Sequence, residues 1–79
     1  MSDIANKLVS FTSDARCYEV CKEFGMQELI VSAGNVGILI SEYYKDPTID
    51  KIAFEILVGD RILFDIEQGT FEELRGSLC

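Results

Sequence analysis

The spacing of apolar positions changes once along this chain, at Gly25. Before it, apolar residues recur at helical intervals. Ile4, Leu8 and Phe11 fall at i, i+4 and i+7. Ser2 can accept a bond from a free amide, and Asp3 suits the positive end of a helix dipole, so a first short helix is predicted from Asp3. Phe11-Thr12-Ser13-Asp14 interrupts it. Cys17, Val20, Cys21 and Phe24 then fall at i, i+3, i+4 and i+7, with Arg16, Glu19, Lys22 and Glu23 opposite. This predicts a second helix over about residues 14 to 24, capped by Thr12 or Ser13 and closed by Gly25.

After Gly25 the period is two, the spacing of strands. Gln27–Ala33, Ile38–Tyr44, Lys51–Val58 and Arg61–Glu67 read as four strands. Gly34-Asn35-Val36-Gly37 is a turn, Lys45–Asp50 is a loop around Pro47, and Gly59-Asp60 makes a two-residue hairpin connection. In the last hairpin Ile52, Phe54, Ile56 and Val58 alternate with Ala53, Glu55 and Leu57. Ile62, Phe64 and Ile66 alternate with Arg61, Leu63 and Asp65. The first set on each arm is expected inward. Thr70-Phe71-Glu72-Glu73 matches a capping box and predicts a short terminal helix carrying Phe71, Leu74 and Leu78.

Two helices, a four-stranded antiparallel meander and a short C-terminal helix read as an α+β fold. The helices are expected on one sheet face. On the other, Leu39, Tyr43, Leu57 and Leu63 stand among Ser41, Ala53, Glu55, Arg61 and Asp65. Two readings of that face stay open: cover by the C-terminal helix, or an exposed patch for a partner or a second copy. A chain of 79 residues allows one domain, 1–79, with a small core and little material for a deep cleft.

Composition narrows the function. Hydrophobic residues make up 48% of the chain, too many for a disordered acidic tail. The formal net charge is -7, and the seven bases are scattered, which argues against direct contact with nucleic acid or an anionic membrane. No basic-then-apolar leader is visible at Met1–Ile4, and no apolar run approaches the roughly 18–20 residues of a membrane span, so a cytoplasmic protein is expected. The three cysteines form no disulfide framework. Cys17 and Cys21 share an apolar stripe, and without any histidine they make neither a zinc site nor an activated nucleophile. Asp46, Asp50 and Asp60 lack the spacing of a calcium loop, and Gly34–Gly37 lacks the lysine of a phosphate loop. No enzyme, cofactor or metal is expected.

The charge is unevenly divided. Residues 1–25 hold four acids against three bases, a net of -1; residues 26–79 hold ten against four, a net of -6. The acids fall largely at loops and strand ends. In length, net charge, the alternating hairpin Ile52–Ile66 and the lack of any catalytic motif, the chain resembles the small acidic inhibitors that phages carry, of which the anti-CRISPR proteins are the best-known group. That resemblance implies a stoichiometric binder, in some cases a DNA mimic, blocking a basic surface that holds nucleic acid. The expected function is therefore a protein-binding inhibitor, monomer or homodimer, using Asp46, Asp50, Asp60, Asp65, Glu67, Glu72 and Glu73 against a basic protein or nucleoprotein complex. The alternatives are an immunity protein or antitoxin neutralising a basic toxin, and a structural homodimer or assembly subunit paired through Leu39, Tyr43, Leu57 and Leu63.

Overall fold

The computed structural model describes residues 7–23 and 25–74, and in it the strand period runs on both sides of Gly25. Seven strands form: β1 (Lys7–Phe11), β2 (Ala15–Cys21), β3 (Gly25–Val31), β4 (Val36–Asp46), β5 (Lys51–Val58), β6 (Arg61–Glu67) and β7 (Phe71–Glu73). They make one sheet in the order β3-β2-β6-β5-β4-β1-β7, with every pairing antiparallel. Among the described residues there is no α-helix, only a 3-10 turn at Pro47–Ile49, so the α+β expectation is corrected to an all-β fold.

Each predicted helix fails for a physical reason. In β1, Val9 and Phe11 are buried and Leu8 faces out, an alternation that overrides the i, i+4 match of Leu8 with Ile4. Residues 1–6, where that helix was to begin, lie outside the described residues. In β2, Ala15 and Cys17 face the core while Arg16, Tyr18 and Val20 face away. β2 pairs with β3 from Ala15↔Val31 through Cys21↔Gly25 without a break. Cysteine, tyrosine and valine fit a pleated surface better than a helix, and pairing decides between two periods that both match a short segment. Asp14, placed in the sequence reading at the start of the second helix, accepts a bond from the Ala33 amide at 2.9 Å and ties off the open end of the β2–β3 hairpin. At the C-terminal end, Phe71–Glu73 adds to β1 as a strand, Phe11↔Phe71 to Val9↔Glu73. The rest of that predicted helix, including Leu78, falls outside the described residues.

The four-strand meander is also corrected. β4, β5 and β6 do follow one another, and the bounds of β5 and β6 match the sequence expectation. β3 leaves the meander to pair with β2, and the Ser32–Asn35 turn carries the chain across to β4. That turn meets the end of β1: the Phe11 amide donates to Asn35 O at 2.9 Å, and the Gly34 amide donates to Phe11 O at 2.8 Å. The sheet therefore bends until segments far apart in strand order share one core. Val9 and Phe11 of β1, Cys17 of β2, Val31 of β3, Leu39 of β4, Phe54 and Ile56 of β5, and Leu63 and Ile66 of β6 fill it. Phe71 packs against Phe11 and Phe54, with ring centroids 6.1 and 5.0 Å away.

A bulge changes the faces of β6. Phe54 pairs with Ile66 and Ile56 with Leu63, so two residues, Phe64 and Asp65, stand opposite Glu55. Asp65 takes a left-handed conformation, φ 66°, which aspartate tolerates better than most side chains. The extra residue turns Leu63 and Ile66 inward together, although they are three apart. Ile62 is left 49% exposed while Leu63 is 1% exposed, the reverse of the alternation expected. Leu39 is likewise in the core, so the second-face set Leu39, Tyr43, Leu57 and Leu63 is divided between the two faces.

Candidate interaction surface

The outer face of the sheet carries an aliphatic row built by register. Val20 pairs with Met26, Leu57 with Ile62, Ile38 with Leu57 and Leu8 with Ile38. Tyr18 pairs with Phe64, and carrying that register two residues along sets Val20 beside Ile62. The Leu74 amide bonds to Leu8 O and continues the row past β7. Each strand contributes one member, and directly opposed side chains lie close enough to form one strip. Its β3–β2–β6 end is the most open, with Val20 66%, Met26 59% and Ile62 49% exposed. Beside it a shallow hollow of about 530 Å³ is lined by Val20, Ile62 and Phe64 together with Glu55 and Asp60; Glu19 and Arg61, which also line it, pair with each other at 3.8 Å. Apolar centre and charged rim is the anatomy of a protein-binding patch.

Tyr18 and Phe64, whose rings stand 6.4 Å apart, separate this apolar end from a polar groove of about 490 Å³ on the same face. Three of the chain's seven bases gather there, Arg16, Lys45 and Lys51, against Asp14, Asp65 and Glu67. The bulge organises its centre. The Asp65 amide donates to the Tyr43 hydroxyl at 2.8 Å, and the Lys45 ammonium straddles the Asp65 carboxylate at 2.7 and 2.9 Å. That bond to Asp65 holds the Lys45 pKa above the ordinary lysine value. Burial raises the Tyr43 phenol, against the lowering effect of the Asp65 amide bond. Lys51 lies 3.7 Å from Glu67, and Arg16 lies 2.8 Å from Glu28. Opposite charges cancel across the groove, so it does not carry the chain's negative balance.

The seven acids singled out in the sequence are not brought together. Asp65 and Glu67 lie in the neutralised groove. Asp46 caps the 3-10 turn, accepting from the Thr48 amide and hydroxyl, and Asp50 closes that turn at φ 55°. Asp60 sits at the β5–β6 turn on the margin of the apolar hollow. Glu72 and Glu73 lie on the edge strand β7, with Glu73 3.6 Å from Lys7. Only Asp60 borders the exposed aliphatic residues. Glu55, which the sequence reading did not select, stands there with it, while Glu19 pairs with Arg61 at 3.8 Å. The signal that would have found Glu55 is strand register, since it faces out next to the bulge.

Cys17 is buried, and burial with Glu19 nearby raises its thiol pKa; Cys21 is half-buried and donates to Gln27 Oε1. Among the described residues no group of three or more metal-ligating side chains converges, and no helix is long and apolar enough to cross a membrane. No family model matches the chain, and no curated protein and no solved structure matches it either.

Proposed function

We propose that this chain is a non-enzymatic protein-binding domain that inhibits its partner by covering a basic surface. The observation that carries this reading is the exposed cluster Val20, Met26 and Ile62, bordered by Glu55 and Asp60. An apolar cluster supplies binding energy when it is desolvated, and the acids at its rim favour a partner whose own apolar contact is ringed by bases. A surface that holds nucleic acid supplies such bases. The resemblance to phage-borne inhibitors leads to the same class of partner. Neutralisation of a basic toxin would use the same physics, and the identity of the bound protein separates the two.

The test is capture from the native host with three baits: the native chain, the Val20→Asp/Ile62→Asp variant, and the Asp46→Lys/Asp50→Lys/Glu72→Lys variant. The reading expects a protein that binds the native chain, is lost from the first variant, and is retained by the second with altered salt sensitivity. Loss from the second and retention by the first would mean that loop and edge acids make the contact, and would overturn it.

A further inference from the structure

We propose that the free edge of β3 pairs antiparallel with β3 of a second copy, making a two-fold dimer whose sheets run on into each other. This concerns the sheet's edge and stands apart from the docking face.

The two edges of the sheet are treated differently. β7 is three residues long and carries Glu72 and Glu73, two of the devices that keep an edge from recruiting another strand. β3 has seven residues, an unbroken register with β2, no proline and no lysine. Among the described residues no backbone segment bonds to its outer side. The stretch 25–41 holds a single charge, Glu28, in a chain that is 27% charged. So neutral an edge offers a basic peptide almost nothing. It suits a copy of itself, and the copies' negative charge lies mostly on other strands, where salt screens it beyond about 8 Å.

Geometry selects the register. Met26, Glu28 and Ile30 face out and Leu29 and Val31 face in. Under a two-fold axis normal to the sheet, outward residues must oppose outward residues. Centring the axis on Glu28 would set two carboxylates face to face, which is unfavourable. Centring it on Leu29 sets each Glu28 against the other copy's Ile30, each Gln27 against Val31, and the two Leu29 side chains against each other. A hollow of about 210 Å³, whose lining includes Leu29, Ile30, Val31, Val58, Leu63 and the base Arg61, lies beside this edge. The two outer faces then point the same way, and the two Val20–Met26 clusters join one surface.

The test is the molar mass of the full chain across a concentration series in reducing buffer, by light scattering and sedimentation. The native chain is expected to pass from monomer to dimer and stop there. Ile30 is 62% exposed, so charged substitutions there leave the core intact, which circular dichroism checks. Ile30→Glu places a second carboxylate opposite Glu28 at two symmetric points and is expected to raise the dissociation constant about tenfold. Ile30→Lys places an ammonium opposite Glu28 and is expected to keep dimerisation within about twofold of native. Val20→Asp/Ile62→Asp, which removes the docking face, is expected to leave the dimer intact. A native chain that is monomeric throughout, an open-ended series of larger species, or equal weakening by both Ile30 variants would overturn the proposal.

Discussion

Gly37 is the position where replacing one hydrogen by a methyl group says most about the packing. It lies on β4, paired with Val9 of β1, facing the core. Its backbone is not in the left-handed region, so alanine meets no torsional barrier there. A Cβ built on it would lie 2.7 Å from Ile56 Cγ2, 2.7 Å from Leu57 O and 3.0 Å from Val58 Cγ2. The side-chain atoms can rotate away at some cost. The carbonyl cannot, because β4 and β5 are held in register around it by Ile38↔Leu57 and Leu39↔Ile56. The methyl group must therefore push two central strands apart or displace the core between them. Overpacking of this kind costs about 1–3 kcal/mol. For a domain of this size 1 kcal/mol shifts the melting temperature by about 4–8 °C, so Gly37→Ala is expected to lower it by roughly 4–24 °C. An unstrained glycine-to-alanine change normally stabilises by about 0.4–1 kcal/mol, so the expected sign is the reverse of the ordinary one. Thermal unfolding followed by circular dichroism reads the shift. A melting temperature equal to or above native would refute the close approach of β4 and β5 at this point.

Three further outcomes follow from the same structure. Asp65→Gly is expected to unfold at higher urea than Asp65→Ala, by about 1 kcal/mol. Both lose the Lys45 pair, and only alanine keeps the cost of φ 66°. Stability is expected to fall on the alkaline side. Cys17, Tyr43 and Lys45 all have folded pKa values above their ordinary ones, so the folded state holds their protons more tightly than the unfolded state does. Their contribution is complete below the unfolded values and is lost as pH rises through the folded ones, beginning near pH 8.5 with the thiol. Urea midpoints measured across this range test it, and Cys17→Ala should remove the first part of the decline while a native chain that gains stability there contradicts the assignment. Alkylation of the native chain is expected to label Cys21 well before Cys17, which is fully buried; equal rates, read by peptide mass mapping, would contradict that burial.

The last hairpin was legible in the sequence because Gly59-Asp60 sits between two alternating runs, and β5 and β6 have the expected bounds. Its faces were not legible. Phe64 and Asp65 read as ordinary members of an alternation, and the bulge shows only in the pairing with β5. The one hint was the spacing of Leu63 and Ile66, three apart, in a strand taken to have period two. The N-terminal half was misread because Cys17, Val20 and Cys21 satisfy a helical period and also lie on a strand, where Val20 faces solvent. In a seven-residue segment a partner strand, here β3, decides between them. Charge counts located the acidic stretch 26–79, but not the places where lysines neutralise part of it. Lys45 and Asp65 are 20 residues apart and meet only because β4, β5 and β6 are neighbours. The aliphatic row escaped notice for the same reason, since no strand supplies more than one of its members.

The central claim is that the apolar end of this row, with its acidic border, makes the contact with a partner, and that the dispersed acids do not. Titration of the captured partner with the native chain and the two surface variants, at several salt concentrations, addresses it directly. Val20→Asp/Ile62→Asp buries charge in the middle of the contact and is expected to weaken affinity at least about 30-fold, the scale of a central interface residue, at every salt concentration. Asp46→Lys/Asp50→Lys/Glu72→Lys is expected to change the association rate and its salt slope while affinity stays within about tenfold. The opposite order, with the loop and edge acids abolishing binding and the Val20 and Ile62 changes tolerated, would contradict the account.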